Sequence, residues 1–535
     1  MRKLLLLVLA ILMSFGLQRS YSANITQYCY IPPIAGQWIK PNVLIVMDFS
    51  GSMQFPAYVP CDFDGYISRV AQCRTSIATS SDSWRYKTSE TYYGYFDPNK
   101  CYTYNVSLGA FQENNSCDCS NKIGTSTCIS GNLLNWITTT RIDIARWVLT
   151  GGRTRSIGGN TVLESEGARY TINDDNLKCK FEITPNNTTD RRLTISNYNG
   201  TCPISPISNA NIKIRPSDPS SIKGIIHSFC DTSDPNGIIS EKCQLIMEFM
   251  VFAGDTRFGE IRAGKNDTIS HLIYVINNET PYHGTPTGEA LWEAYDYYRQ
   301  INDKPYESNT VYINRRNGEV DPYYDRIGGN DIPVPCRKSF VLLISDGAWN
   351  RSVDPVVPAR VMATDDLRLD LPGKQNVYTY VVYTFGDEDP GIALQGRQAM
   401  ITTAIFGGFQ DNDGNEWPYP FTNIQYPDGY GICSALESTV RTDIQTTTTT
   451  YCNSRGILYP LPQCNPSGTS STTWDSQCAE WDTAFNSLQD GLPYNFYEAN
   501  DAPALRSALI SILTDILYHA SSGSGATVAT LTSRT

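Results

Sequence analysis

This 535-residue chain predicts an α/β fold: a doubly wound, mostly parallel sheet with long, disulfide-rich, partly β insertions. Three observations carry the expectation. Apolar runs suited to strands buried on both faces alternate with helical stripes, the pattern of a parallel sheet covered on both sides. The connections are far longer than a minimal strand–helix unit needs. Most of the 16 cysteines fall in those connections. The length suits two to four ordinary domains or one heavily decorated one, and a 41% hydrophobic composition permits a sizeable core.

Taken in order, Val43–Met47 is the first buried strand. Ile142, Ala145, Val148 and Leu149 recur at helical spacing in TRIDIARWVLTGG, with Gly151 and Gly152 as the stop. SHLIYVI, residues 270–276, reads as a strand. Leu291, Ala294, Tyr295 and Tyr298 stripe a helix in TPTGEALWEAYDYYR. SFVLLISDG is a second buried strand, ending in Asp346, and NVYTYVVYTFG a third. RQAMITTAIFGG is a helix closed by glycines. YNFYEA is a short strand, and Leu505, Leu509, Ile512 and Ile516 mark a last helix capped by Asp501. Residues 41–520 thus form one domain, interrupted by insertions at about 54–138, 153–240, 301–336 and 409–493. Residues 23–40 lead into it, and the small, polar residues 521–535 read as a flexible tail or linker.

Residues 1–22 read as a secretory signal: Arg2 and Lys3, the apolar stretch Leu4–Leu17, and small residues at Ser20 and Ser22 before a cut. An uncleaved anchor is the rival, although the apolar run is short for a span. No later segment has eighteen uninterrupted apolar residues, so no membrane span is expected in the mature chain. Of the 42 basic residues, Arg2, Lys3 and Arg19 leave with the signal, so 39 face 54 acidic ones. A net charge of −15 argues against nucleic acid, which needs basic stripes, and suits cations. An even cysteine count in an exported chain points to disulfides. Zinc is disfavoured, because the chain has no C-x-x-C pair and its four histidines lack ligand spacing. Parity suggests bridges within each insertion, with Cys29 left to pair with Cys336 because both precede strands that would be neighbours.

The first strand runs into NVLIVMDFSGSM, where Asp48 is followed by Ser50 and Ser52 around Gly51. In an open parallel sheet, ligands bind beyond the carboxyl ends of the strands, where strand order reverses. One carboxylate and two hydroxyls there are hard oxygen ligands, suited to Mg²⁺, Mn²⁺ or Ca²⁺. GTPTGEAL adds Thr285 and Thr287 before a helix, and LLISDG adds Asp346. So few charges leave a divalent cation under-neutralised and open to a carboxylate from a partner. Read singly, these residues are turn formers, caps and a strand end. An aspartate ending a buried strand also suits a phosphatase, but the position two residues later is Ser50, which cannot serve as a general acid. No Ser/His/Asp or Cys/His set is evident, so the chain is not expected to be an enzyme.

This three-part pattern resembles the metal-ion-dependent adhesion site of von Willebrand factor A domains: D-x-S-x-S, a distant Thr, then a strand-terminal Asp before Gly. The resemblance implies that fold, with Rossmann-like winding. It implies Ser50, Ser52 and Thr285 as metal ligands, with Asp48 and Asp346 acting directly or through water. Thr285 is preferred because it is the first threonine of T-P-T; Thr287 reads better as a helix start. More narrowly, YYGYFDPNKCYTYN, RIDIARWVLTGG and DGLPYNFYEANDAPALRSALISILTDIL resemble the N-terminal half of the PilY family, type IV pilus biogenesis factors and tip adhesins. Members usually continue into a calcium-binding β-propeller, which would begin where this sequence stops; a short form, a propeller on a separate chain and a truncated sequence all fit. The resemblance implies Sec export, a place at the pilus tip or cell surface with minor pilins, and contact with an acidic group on a protein or on a host or abiotic surface. A separate propeller chain is a further possible partner. The alternatives are a pilus-independent A-domain adhesion protein, an assembly-priming factor whose metal site is structural, and, more remotely, a metal-dependent hydrolase.

Two further features have ordinary and functional readings. DNDGNE, residues 411–416, resembles the start of a calcium loop, but its twelfth position is Thr422, where such a loop needs a bidentate acid; a polar turn fits better. Tyr86, Tyr92, Tyr93, Tyr95, Tyr102 and Tyr104 form either an adhesive face or the packing of a disulfide-bonded insertion.

Overall fold

The computed structural model describes residues 39–59, 61–63, 70–73, 85–184, 191–301, 310–418, 480–481 and 492–522, apart from 235, 255–256, 347–348, 350–352, 386–389, 413 and 415–417. The expected signal, Cys29, the cysteines of the last insertion and the polar tail from 523 onward lie outside them.

The central sheet has six strands: β1 (Asn42–Asp48), β2 (Ile246–Ala253), β3 (Arg257–Ala263), β4 (Ser339–Ser345), β5 (Val377–Thr384) and β6 (Phe496–Ala499). Their spatial order is β3-β2-β1-β4-β5-β6. All neighbours are parallel except β3, which runs antiparallel to β2 at one edge. The chain winds outward from β1 in one direction and then returns to β4 on its other side. The carboxyl ends of β1 and β4 therefore flank the point where strand order reverses.

Alternate residues of β1 feed two cores, which is why the whole strand is apolar. Val43, Ile45 and Met47 pack against α1 (Arg141–Thr150), α2 (Ile269–Asn278) and α6 (Ala502–Ser522). Leu44 and Val46 pack on the opposite face, with α3 (Thr287–Arg299), α4 (Val356–Thr364) and α5 (Pro390–Gly408). The helix ends follow local chemistry. A reciprocal capping box between Thr140 and Asp143 starts α1, and Gly151, at φ 93°, ends it. A Cβ on Gly151 would also come within 2.6 Å of the Lys223 backbone nitrogen. Asp501 Oδ1 accepts from Ala504 N at 2.7 Å at the start of α6, the expected cap.

One expected strand is a helix. SHLIYVI belongs to α2, with Thr268 as its cap. Its β-branched residues suggest a strand, but Ile269, Leu272 and Ile276 recur at helical spacing and are buried, while Tyr274 is exposed. The strand of this region is β2, IMEFMVFA, where buried Glu248 interrupts the apolar run.

The first two insertions do not fold separately. Strands 70–73 and 169–174 pair across them, as do 110–113 and 213–215. The result is two further six-stranded sheets sharing one core, with Trp136, Phe181, Ile195 and Ile214 among its buried residues. Helix α1 therefore lies in sequence between two halves of a small domain. Among the described residues, four bridges lie within the first two groups of cysteines, as parity suggested: Cys101–Cys119, Cys117–Cys128, Cys179–Cys202 and Cys230–Cys243. Cys336 is also disulfide-bonded, while its expected partner Cys29 lies outside the described residues. The tyrosines pack rather than present a face: Tyr86, Tyr95 and Tyr102 are buried, and Tyr92 and Tyr104 lean on the same core. At the 411–416 segment, Asp411 Oδ1 accepts from Gly414 N at 2.7 Å, a polar turn; Asp413, Asn415 and Glu416 lie outside the described residues. No described helix is long and apolar enough to cross a membrane.

Candidate metal centre

Asp48 is the last residue of β1 and is fully buried. Its Oδ1 accepts from Ser50 N at 2.7 Å, and its Oδ2 accepts from Ser345 Oγ at 2.7 Å. Ser345 ends β4, so this bond joins the ends of the two central strands. Residues 51–54 then form a single 3₁₀ turn, which brings Ser52 back over the strand end. Ser50 Oγ and Ser52 Oγ are 2.9 Å apart, and Ser52 Oγ donates to Asp346 Oδ1 at 2.9 Å. With its one hydroxyl proton committed to Asp346, Ser52 accepts from Ser50. Asp48, Ser50, Ser52 and Asp346 thus form one hydrogen-bonded set.

The loop before α3 is clipped to the same turn. Tyr282 N donates to Phe49 O at 2.7 Å, and Gly51 N donates to His283 O at 3.3 Å. Gly254 N, just past β2, reaches the His283 and Gly284 carbonyls. These bonds fix residues 282–284 against the strand ends, and the buried Thr285 follows directly. Thr287 begins α3, as its sequence position suggests. Its Oγ1 is buried with no hydrogen-bond partner among the described residues, so both threonines remain candidate donors.

The electrostatics are those of two neighbouring buried carboxylates. Burial, and then the neighbouring Asp346, push the Asp48 carboxyl up to about 7, against the pull of the Ser50 and Ser345 hydrogen bonds. Asp346 Oδ2 is paired with Arg141 at 2.8 Å, and both side chains are buried. Arg141 and Ser345 were not singled out from sequence. Ser345 directly precedes Asp346. Arg141 is a cation at the first position of a helix, where the dipole disfavours it, and that misplacement is a sign of a tertiary acid partner. Among the described residues, no group of three or more His, Cys, Asp or Glu is arranged to hold a metal ion by itself. The centre offers instead two carboxylates and several hydroxyls, an oxygen-only set fitting a hard divalent cation.

Beside this centre the small domain is tied to α1 by buried charge. Arg146 pairs with Glu166, which also binds Arg153 at 2.7 Å. Residues 83–223 match the family model described as PilY1 homolog, small alpha/beta domain. This region is similar to the small domain of PilY1 homologs. A type IV pilus biogenesis factor PilY1 homolog from Xylella fastidiosa (strain Temecula1 / ATCC 700964) is 32% identical over 126 residues. That match covers 21% of this chain and 10% of the relative, so the chain spans only about a tenth of its length. No solved structure matches. The PilY1-like region contains α1 and Arg141, whereas Asp48, Ser50, Ser52, Thr285 and Asp346 lie outside it.

Proposed function

We propose that this chain is an exported, type IV pilus-associated adhesion and biogenesis protein that binds its partner through a metal-ion-dependent adhesion site. Under this reading the central sheet is a von Willebrand factor A-type domain, and the β3-β2-β1-β4-β5-β6 order with one antiparallel edge supports it. The observation that carries the reading is the hydrogen-bonded set Asp48–Ser50–Ser52–Asp346, spread over the ends of two neighbouring strands at the reversal of strand order. A chain that folds only to bury apolar strands has no reason to gather two buried carboxylates there.

The fit to a cation rests on the chemistry of these donors. Two acids share a buried site in which burial and Asp346 already oppose ionisation of Asp48. Ser50, Ser52 and one of Thr285 or Thr287 would supply neutral oxygens, and Asp48 and Asp346 the charge. A divalent cation held there, Mg²⁺ foremost, offers an open position to a carboxylate of the partner or surface. The protein side then orients that contact: Ser345 and Ser50 N fix Asp48, and the 282–285 loop fixes the threonine. The chain binds rather than catalyses.

The match of residues 83–223 to the PilY1-homolog small domain, and the likeness of part of the chain to a biogenesis factor, also favour a second reading, in which the site serves pilus assembly together with minor pilins. Asp48→Ala separates the two. Loss of adhesion with normal piliation supports binding; loss of pili by a folded variant supports assembly. Sheared filaments from the source strain and from one lacking the major pilin test the location. Presence in both strains, or only in the medium, would remove the pilus from the account.

A further inference from the structure

Arg141 occupies an unusual place. It is the first residue of α1, at the positive end of the helix dipole, and only 4% exposed. Its guanidinium lies over the Phe55 ring at 5.6 Å and reaches Asp346 Oδ2 at 2.8 Å. Asp346 therefore divides its carboxylate: Oδ1 serves the serine chain, and Oδ2 serves Arg141. Backbone bonds bind the same helix start to the strand-end turn. Arg141 N donates to Phe55 O at 3.0 Å, and Ala57 N donates to Thr139 O at 2.9 Å.

The residues around Arg141 are also joined to the small domain. Thr140 Oγ1 donates to Glu166 O at 2.5 Å, and Asp143 Oδ1 accepts from Glu166 N at 2.9 Å. Arg146, one turn further on, pairs with the Glu166 side chain. Ala168 N donates to Gln54 O at 2.9 Å, closing the circuit back to the serine turn. A shift of Arg141 is therefore not local; it moves the helix start on which Glu166 is seated.

We propose that Arg141 is a resident counter-cation of this centre, which sets how tightly a divalent cation binds and couples loading of the site to the small domain. The inference rests on the metal-site reading above. A cation drawing on Asp346 competes with Arg141 for one carboxylate and is repelled by its charge. The native chain therefore holds its cation loosely, and filling the site loosens the Arg141–Asp346 pair and the start of α1.

The test is equilibrium dialysis of the full chain against Mn²⁺, with folding checked by circular dichroism. Arg141→Gln removes the charge and keeps hydrogen-bonding capacity; it should bind Mn²⁺ about tenfold or more tightly than the native chain. Arg141→Lys, which keeps the charge, should stay within about threefold of it. Unchanged or weaker binding by folded Arg141→Gln overturns the proposal, as does Arg141→Lys binding as tightly as Arg141→Gln. Should Arg141→Gln not fold, hydrogen exchange on the native chain decides. Saturating Mn²⁺ should speed exchange of amides in 141–146 and 166–168, and unchanged exchange refutes the coupling. If neither the native chain nor folded Arg141→Gln binds Mn²⁺, the metal-site reading itself fails, and this inference with it.

Discussion

Replacing Arg146 with methionine tests the buried joint between the central and small domains. Arg146 is wholly buried, and methionine retains much of its stem while removing its charge and donors. Three partners lose a donor. Nε donates to Ile276 O at 3.0 Å, Nη2 donates to Glu279 O, and Nη1 pairs with Glu166. Ile276 lies in the last turn of α2, where carbonyls lack intrahelical donors, so its oxygen is orphaned by the change. Each orphaned buried carbonyl costs about 1–3 kcal/mol. Breaking a buried pair costs about 3–5 kcal/mol, reduced here because Arg153 still holds Glu166 at 2.7 Å. We expect Arg146→Met to lose about 3–5 kcal/mol in urea denaturation monitored by tryptophan fluorescence, after accounting for the non-additivity of these neighbouring terms. A double-mutant cycle with Glu166→Gln should show a coupling of at least about 1 kcal/mol. A loss below about 1 kcal/mol would refute the view that this charge cluster holds the small domain on α1.

Other consequences are as direct. Mg²⁺ at a hundredfold excess over its Kd should stabilise the native chain by about 2.7 kcal/mol in thermal denaturation, and EDTA should reverse it; Asp48→Ala should show neither effect. Replacing both Cys179 and Cys202 with serine opens a loop of sequence separation 23 and should cost about 3 kcal/mol in urea denaturation. Gly288→Ala places a Cβ 2.1 Å from the Val353 carbonyl oxygen, so α3 must shift, with an expected loss of at least about 2 kcal/mol read as a lower Tm. The hydrogen bond to Asp515 raises the His519 imidazole above its usual value near 6.5. Its stabilising contribution is thus fully present below about 6.5 and is lost as pH rises through the raised value. His519→Gln should be less stable than the native chain at pH 5.5 and indistinguishable from it at pH 9; an equal deficit at both would contradict the assignment.

Much of the architecture was readable along the chain because the cause was local. Val43–Met47 and Phe340–Ile344 are apolar throughout because both faces of the sheet are covered, and α1, α3 and α6 carry stripes at helical spacing, with a cap at the start of α1 and of α6 and a glycine stop after α1. Asp48, Ser50, Ser52 and Asp346 were equally legible, since acids and hydroxyls directly after buried strands are costly unless they meet one another. Local signals failed where two structures suit the same residues. Ile273 and Val275 favour a strand in isolation, but burial of Ile269, Leu272 and Ile276 on one side makes the segment a helix. Nothing local shows that strands 70–73 and 169–174 pair across the intervening helix, because pairing partners are chosen by shared burial rather than by sequence distance. The same holds for Arg141. Its charge is evident in the chain, but Asp346 is 205 residues away, and only the return of β4 beside β1 brings that carboxylate to it.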